Sequence, residues 1–145
     1  MVVHIVKLCV GVSSVEELEA HRDREMAARR AAGEPEVAMH VTRMFPARKA
    51  EVEAGGSLYW VMSGAIQCRS DIIALEHVTG SDGIKRCAII MSPDVIRTSA
   101  APRRPFQGWR YLKPEDAPRD LGVSGEGGDE LPDALRAKLL ELGAW

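Results

Sequence analysis

Residues 57–91 constrain the fold most, because they carry two turn signals between strand-forming segments. Ser63-Gly64 separates the first two segments, and the Gly- and Asp-containing residues 79–83 separate the second from the third. Short turns join neighbouring strands that run in opposite directions. The sequence therefore predicts one continuous antiparallel meander of three strands, with no helix within residues 65–78. The middle strand is long enough to bend or bulge near residues 69–71.

Further strands and two helices flank this meander. Residues 3–12 predict a first strand and residues 37–44 a second. Ser14-Val15-Glu16-Glu17 is a capping box, the pattern that opens a helix, and it predicts a helix over residues 14–32. A last helix is predicted over residues 131–142.

The length of 145 residues is typical of one domain, and 46% hydrophobic with 28% charged residues is the balance of a globular protein. We therefore expect a single domain over residues 1–145, in which residues 114–130 form a mobile acidic loop. The predicted fold class is α+β: a bent, mostly antiparallel sheet or a small open barrel, with the two helices outside it.

The cysteine and histidine patterns predict no cofactor and no metal site. The three cysteines form no CxxC pair and lie in apolar runs, which is typical of buried, reduced thiols in a cytoplasmic protein. A turn centred on Ser81 would place Cys87 near Leu75 and Cys68 near Asp94, too far apart to share a metal or a disulfide. The apolar first twelve residues are too short to span a bilayer, so we expect no membrane segment.

Charge is unevenly distributed along the chain. Residues 40–113 contain eleven basic and six acidic side chains, a formal charge of +5, whereas residues 1–39 carry −2 and residues 114–145 carry −5. Arginine predominates in the basic segment, which also holds two clusters of aromatic residues. Guanidinium groups suit phosphates and aromatic faces suit bases, so the pattern favours RNA or a nucleotide as ligand. The alternative is that the acidic tail pairs with the basic centre, within one chain or across a homo-oligomer.

Residues 106–112 give the most specific prediction for the basic, aromatic ligand-binding surface. Gly108 permits a close backbone approach to a ligand, Trp109 and Tyr111 share one strand face, and Arg110 lies on the other. The alternative is a bulged edge strand that buries both aromatic rings. The candidate ligand-binding residues are His40, Arg43, Trp60, Arg69, Arg103, Arg104, Trp109, Arg110 and Tyr111.

Catalytic motifs are weak. His40 and Thr42 share one face of the predicted second strand, so the histidine could activate the hydroxyl group, but no third group is fixed by the sequence. The chain has no P-loop, GxGxxG or GxSxG motif.

Five sequence strings, at residues 4–11, 40–44, 55–61, 82–87 and 106–112, are spread over nearly the whole chain. They resemble an uncharacterised family of alphaproteobacterial proteins, domain-of-unknown-function family 1489. The resemblance implies a bacterial cytoplasmic protein and no particular activity.

A second resemblance is to PUA-like domains, including their ASCH branch, and rests on Thr42-Arg43, Gly55-Gly56-Ser57 and the strand after them. This resemblance implies a small β-barrel that binds RNA or modified bases. Some of these domains hydrolyse acylated nucleosides with a threonine, a lysine and a glutamate. Thr42 is similar to that threonine, Lys49 and Glu76 match by position alone, and a serine stands where an aspartate often does.

The expected function is a non-enzymatic PUA-like module that binds RNA or a nucleotide through its basic, aromatic centre. One alternative is a small hydrolase of a modified nucleoside or amide that uses Thr42, Lys49 and Glu76. Another is a protein-interaction subunit whose acidic tail contacts a partner.

Overall fold

The structure, a computed structural model, describes residues 2–104 and 106–123. Within these residues, eight strands and two α-helices follow one another, with a single 3-10 turn (Pro114–Asp116) before the last described strand. In chain order they are β1 (His4–Leu8), α1 (Val15–Ala31), β2 (Ala38–Thr42), α2 (Lys49–Glu53), β3 (Ser57–Met62), β4 (Ala65–Thr79), β5 (Lys85–Met91), β6 (Ile96–Pro102), β7 (Trp109–Leu112) and β8 (Asp120–Val123).

The predicted meander is confirmed. Strands β3, β4 and β5 are consecutive antiparallel neighbours, and β4 continues as one strand of 15 residues. Its register shift against β5 falls between Ile72 and Ala74, just beyond the predicted bend.

The predicted turn centre was wrong by one residue. Cys87 lies opposite His77, and Leu75 lies opposite Ile89. The reason is the turn itself, in which Gly80 N–H donates to the Ile84 carbonyl and Gly83 N–H to the Gly80 carbonyl. Moving the centre of a hairpin by one residue moves every cross-strand pair by two.

The long strand β4 joins two parts of a bent, open sheet. Its first half lies between β3 and β6, and its second half pairs with β5. The sheet order is β2-β5-β4-β3-β1-β7, with β8 beyond β6. Strands β1 and β3 are parallel, and all other pairings among the described strands are antiparallel. The α+β class with a bent, mostly antiparallel sheet is confirmed.

Helix α1 begins as the capping box predicts. The Ser14 hydroxyl accepts a hydrogen bond from Glu17 N–H at 3.2 Å, and the helix buries Val15, Leu18 and Met26 against the sheet. Neither described helix is long and apolar enough to cross a membrane. The predicted helix over residues 131–142 lies outside the described residues.

The first part of the predicted loop over residues 114–130 has regular structure. It forms a 3-10 turn and strand β8, because the free edge of β6 pairs with β8 and the Arg119 carbonyl accepts Ser99 N–H. Residues 124–130 lie outside the described part of the chain.

Two hydrophobic clusters lie on opposite faces of the sheet. The larger one fills the inner face under α1, and a smaller one on the outer face is covered by Phe106 and Ala117. Tyr59 and Trp60 are neighbours on β3, so they enter different clusters, and both are buried.

Strands β2 and β7 stand at opposite ends of the sheet order, yet one segment connects them. Trp109 Nε1 on β7 donates to the Met44 carbonyl at 2.8 Å, and Arg48 N–H donates to the Tyr111 hydroxyl at 3.0 Å. The curled sheet therefore remains open in its hydrogen bonding, while residues 44–48 link its two edges. This curvature brings the inner faces of β1, β2 and β3 towards one another.

Candidate functional site

A cavity of about 150 Å³ lies between α1 and the inner faces of β1, β2 and β3. Its apolar lining comes from residues such as Leu18, Ala38 and Met91. The polar residues that line it are Lys7, Cys9, His21, Arg22, Glu25, His40 and Trp60.

Arg22 is the most unusual of these residues, because its side chain is charged and only 4% of the residue is exposed. Its position on α1 is one turn from Leu18 and one from Met26, so helix geometry places it on the buried stripe. Its Nη1 makes long hydrogen bonds of 3.2–3.4 Å to the Ser70 hydroxyl and to two backbone carbonyls. Its Nε has no hydrogen-bond acceptor among the described residues, and the nearest carboxylate, Glu25, is 3.9 Å away.

Lys7 supplies a second cation. On β1 it lies directly opposite Trp60 of β3 and Trp109 of β7. No carboxylate of residues 2–104 or 106–123 lies within ion-pair distance of its ammonium group. Burial lowers the pKa of Lys7. The cavity therefore holds an ammonium group with no counterion from the described chain.

His40 and Trp60 meet edge to face beside these cations, with ring centroids 5.2 Å apart. His40 Nε2 and Trp60 Nε1 are both buried and lack a hydrogen-bond partner within the described structure. Burial, helped by the charge of Lys7, lowers the pKa of His40 to about 4, so its ring is neutral at pH 7. A buried polar atom without a partner costs about 1–3 kcal/mol, so these three atoms favour a polar occupant of the cavity, either water or a ligand.

Two of the predicted ligand contacts, His40 and Trp60, line this cavity. Lys7, Arg22 and Cys9 also line it and were not among the predicted contacts. One signal for Arg22 is present in the sequence, since it stands at the spacing of Leu18 and Met26 on the apolar stripe of α1. No comparable signal marks Lys7, because an alternating strand with one lysine is common on an exposed face.

The aromatic string of β7 lies next to this cavity. Trp109 and Tyr111 share the inner face, as predicted, with ring centroids 4.8 Å apart. Trp109 is half-buried and packs against the main core, while Tyr111 is exposed and carries the Arg48 guanidinium over its ring. Arg110 lies on the opposite face, where it stacks over Phe106 and donates to two nearby carbonyls.

The other predicted arginines are dispersed. Arg69 is held by ion pairs with Asp71 and Asp120. Arg43 follows β2, and Arg103 and Arg104 follow β6, so the structure places none of them in the cavity. Arg43, Arg103 and Arg104 make no ion pair with a carboxylate of the described residues.

The three candidate catalytic residues are not brought together. Thr42 is buried on β2 opposite Cys87, whereas Glu76 lies opposite Ala88, one position along, and therefore projects from the other face of the sheet. Lys49 on α2 is bound in an ion pair of 2.7 Å to Glu53. The described side chains also include no group of three or more histidines, cysteines and carboxylates placed to hold a metal ion.

A second, open polar depression of about 310 Å³ lies around His4, Ser57 and Arg69. Here the polar groups satisfy one another: Ser57 N–H donates to His4 Nδ1 at 2.9 Å, and the Ser57 hydroxyl donates to Asp71 and accepts from Arg69. The depression is therefore a saturated network, unlike the cavity under α1.

The chain matches the family described as protein of unknown function (DUF1489) over residues 5–145. It belongs to that family. The match confirms the family to which the first resemblance pointed. No curated protein and no solved structure matches the chain significantly.

We expect this DUF1489 protein to lose stability in mild acid, because its buried His40 is neutral in the folded state. Its folded-state pKa, about 4, lies below the unfolded value of 6.5, so the unfolded chain takes up the proton first as the pH falls. The free energy of unfolding is therefore at its full value above pH 6.5 and falls between pH 6.5 and 4. We expect a decrease of about 2 kcal/mol, allowing for partial exposure of the ring. Urea unfolding at pH 7.5 and 4.5 measures it.

His40→Gln is the control for this expectation. The variant lacks the titrating ring, so its free energy of unfolding should fall less than that of the wild type over the same pH range. Equal decreases in both proteins would show that other groups cause the acid sensitivity.

Proposed function

We propose that this protein is a non-enzymatic module that binds RNA or a nucleotide, with a phosphate group in the cavity between Lys7, Arg22, His40 and Trp60. The observation that carries the proposal is the coincidence, in one cavity, of a counterion-free ammonium group and three buried polar atoms without partners.

The charge of the cavity favours an anion. Lys7 and Arg22 contribute two positive charges, against the one carboxylate of Glu25. That carboxylate is already shared, because it lies 3.7 Å from the Arg29 guanidinium and accepts Met39 N–H at 3.2 Å. The indole N–H of Trp60 and the Nε–H of Arg22 can only donate hydrogen bonds, and phosphate oxygens only accept them.

The surroundings favour a phosphate that is attached to a base. Trp109 lies beside Lys7 in the strand register, and the exposed ring of Tyr111 adjoins it. Aromatic surfaces beside a phosphate site are what a nucleotide uses for stacking. The exposed Arg43 and Arg104 could contact further phosphates of an RNA strand.

Two finer points belong to the same proposal. The resemblance of the sequence strings to PUA-like domains implies an RNA ligand. The three free cysteines, two of them buried, suit a reducing compartment such as the cytoplasm. The hydrolase alternative has less support, because Thr42 and Glu76 lie on opposite faces of the sheet.

Lys7→Gln tests the proposal. The probes are AMP and a fluorescent single-stranded oligoribonucleotide with phosphates at both ends, measured by calorimetry and fluorescence anisotropy. A hydrogen bond to a charged group contributes about 1.5–3 kcal/mol, so we expect affinity to fall roughly 10- to 100-fold. The dependence of affinity on salt should also weaken, because one fewer phosphate is neutralised.

Lys85→Gln is the matched control. Lys85 is an exposed lysine of β5 that does not line the cavity, so its replacement removes the same charge from the protein. Affinity should change less than threefold. The proposal would be contradicted if the wild type bound neither probe, or if both variants lost the same amount of affinity.

A further inference from the structure

We infer that the cavity selects a terminal phosphate monoester, such as the phosphorylated end of an RNA or a mononucleotide, over the internal phosphodiesters of a chain. The inference rests on the proposed function and specifies which phosphate enters.

The depth of the polar groups carries the first step. Arg22 and Trp60 are each only 4% exposed, and their unpartnered nitrogens are fully enclosed. A cavity of about 150 Å³ has room for a phosphate group with part of its ester linkage, not for a nucleoside on each side of it. An internal phosphate continues into the chain in two directions and would need a groove that is open at both ends.

The number and arrangement of donors carry the second step. Arg22 Nε–H comes from α1, Trp60 Nε1–H from β3 and the Lys7 ammonium group from β1. A phosphate monoester carries a charge near −2 at neutral pH and a phosphodiester carries −1, so the two cations, only partly offset by Glu25, attract the monoester more strongly. The monoester also offers these donors three non-bridging oxygens, one more than the diester.

The rim of the cavity carries the third step. Val10 and Met39 border it and are 87% and 43% exposed. These apolar side chains can contact the sugar that remains outside when the phosphate is inside. An apolar rim beside buried donors suits a ligand that enters by its phosphorylated terminus.

The test uses one eight-nucleotide RNA sequence in three forms: with a 5′-phosphate, with a 3′-phosphate, and with hydroxyl groups at both ends. Anisotropy measures the affinity of each form for the full chain. We expect at least one phosphorylated form to bind 10-fold or more tightly than the hydroxyl form. Lys7→Gln should abolish that advantage, and Arg22→Met should do the same if Lys7→Gln does not fold.

The outcomes separate the inference from the proposed function. Equal affinity for all three forms, weakened in parallel by Lys7→Gln, would overturn the inference and leave RNA binding at the cavity intact. No measurable binding of any form would overturn both. AMP against adenosine repeats the comparison with the smallest probes, and AMP should bind at least 10-fold more tightly.

Discussion

Gly56→Ala is expected to lower the free energy of unfolding by about 3 kcal/mol, the upper end of the usual cost of overpacking. A Cβ atom at Gly56 would collide with the Val3 carbonyl oxygen and would lie 2.6 Å from the Val52 carbonyl oxygen. Both are backbone atoms, so no side chain can rotate away. Gly56 N–H donates to that same Val52 carbonyl at 2.8 Å, and its own carbonyl accepts Ile72 N–H at 3.0 Å.

Gly80→Ala is the matched control for this substitution. Its Cβ would also be crowded, at 2.6 Å from Arg86 Nη1 and 2.8 Å from a carboxylate oxygen of Asp82. Those atoms are the far ends of flexible side chains, which can move at little cost. We expect a change within about 1 kcal/mol. Urea unfolding measures both variants, and equal destabilisation would show that contact with backbone atoms is not what makes Gly56 sensitive.

The local features of the fold could be predicted from the sequence because their causes are local. Two turn signals give the β3-β4-β5 meander, and the capping box at Ser14 gives the start of α1. Strand β8 could not be predicted, since Asp120–Val123 has no strong strand pattern and pairs only because β6 offers a free edge. The parallel pairing of β1 with β3 was also not evident, because it joins residues about 53 positions apart.

The site was predicted less completely for the same reason. Sequence charge counts indicated a basic surface, but a count does not show which cations are neutralised. Arg69 meets Asp120 and Arg97 meets Glu19 across separations of 51 and 78 residues. These ion pairs neutralise two arginines of the basic segment. The cations of the cavity, Lys7 and Arg22, both lie outside that segment.

Arg22→Met is expected to weaken phosphate binding about 100-fold while leaving the stability of the unliganded protein within about 1 kcal/mol of the wild type. The binding loss follows from removing the guanidinium group, whose charge-assisted hydrogen bond to the phosphate is worth up to about 3 kcal/mol. AMP and the phosphorylated RNA are suitable probes. Thermal melting and urea unfolding report the stability.

The small change in stability is the sharper part of this expectation. Arg22 is buried with long hydrogen bonds and a carboxylate 3.9 Å away, so its desolvation is poorly compensated, and an apolar side chain of similar length avoids that cost. The Ser70 hydroxyl would retain its bond to the Asp94 carbonyl. Destabilisation by more than about 3 kcal/mol would show that Arg22 is needed for the stability of the fold. Unchanged stability with lost phosphate binding would show that the buried charge serves the ligand.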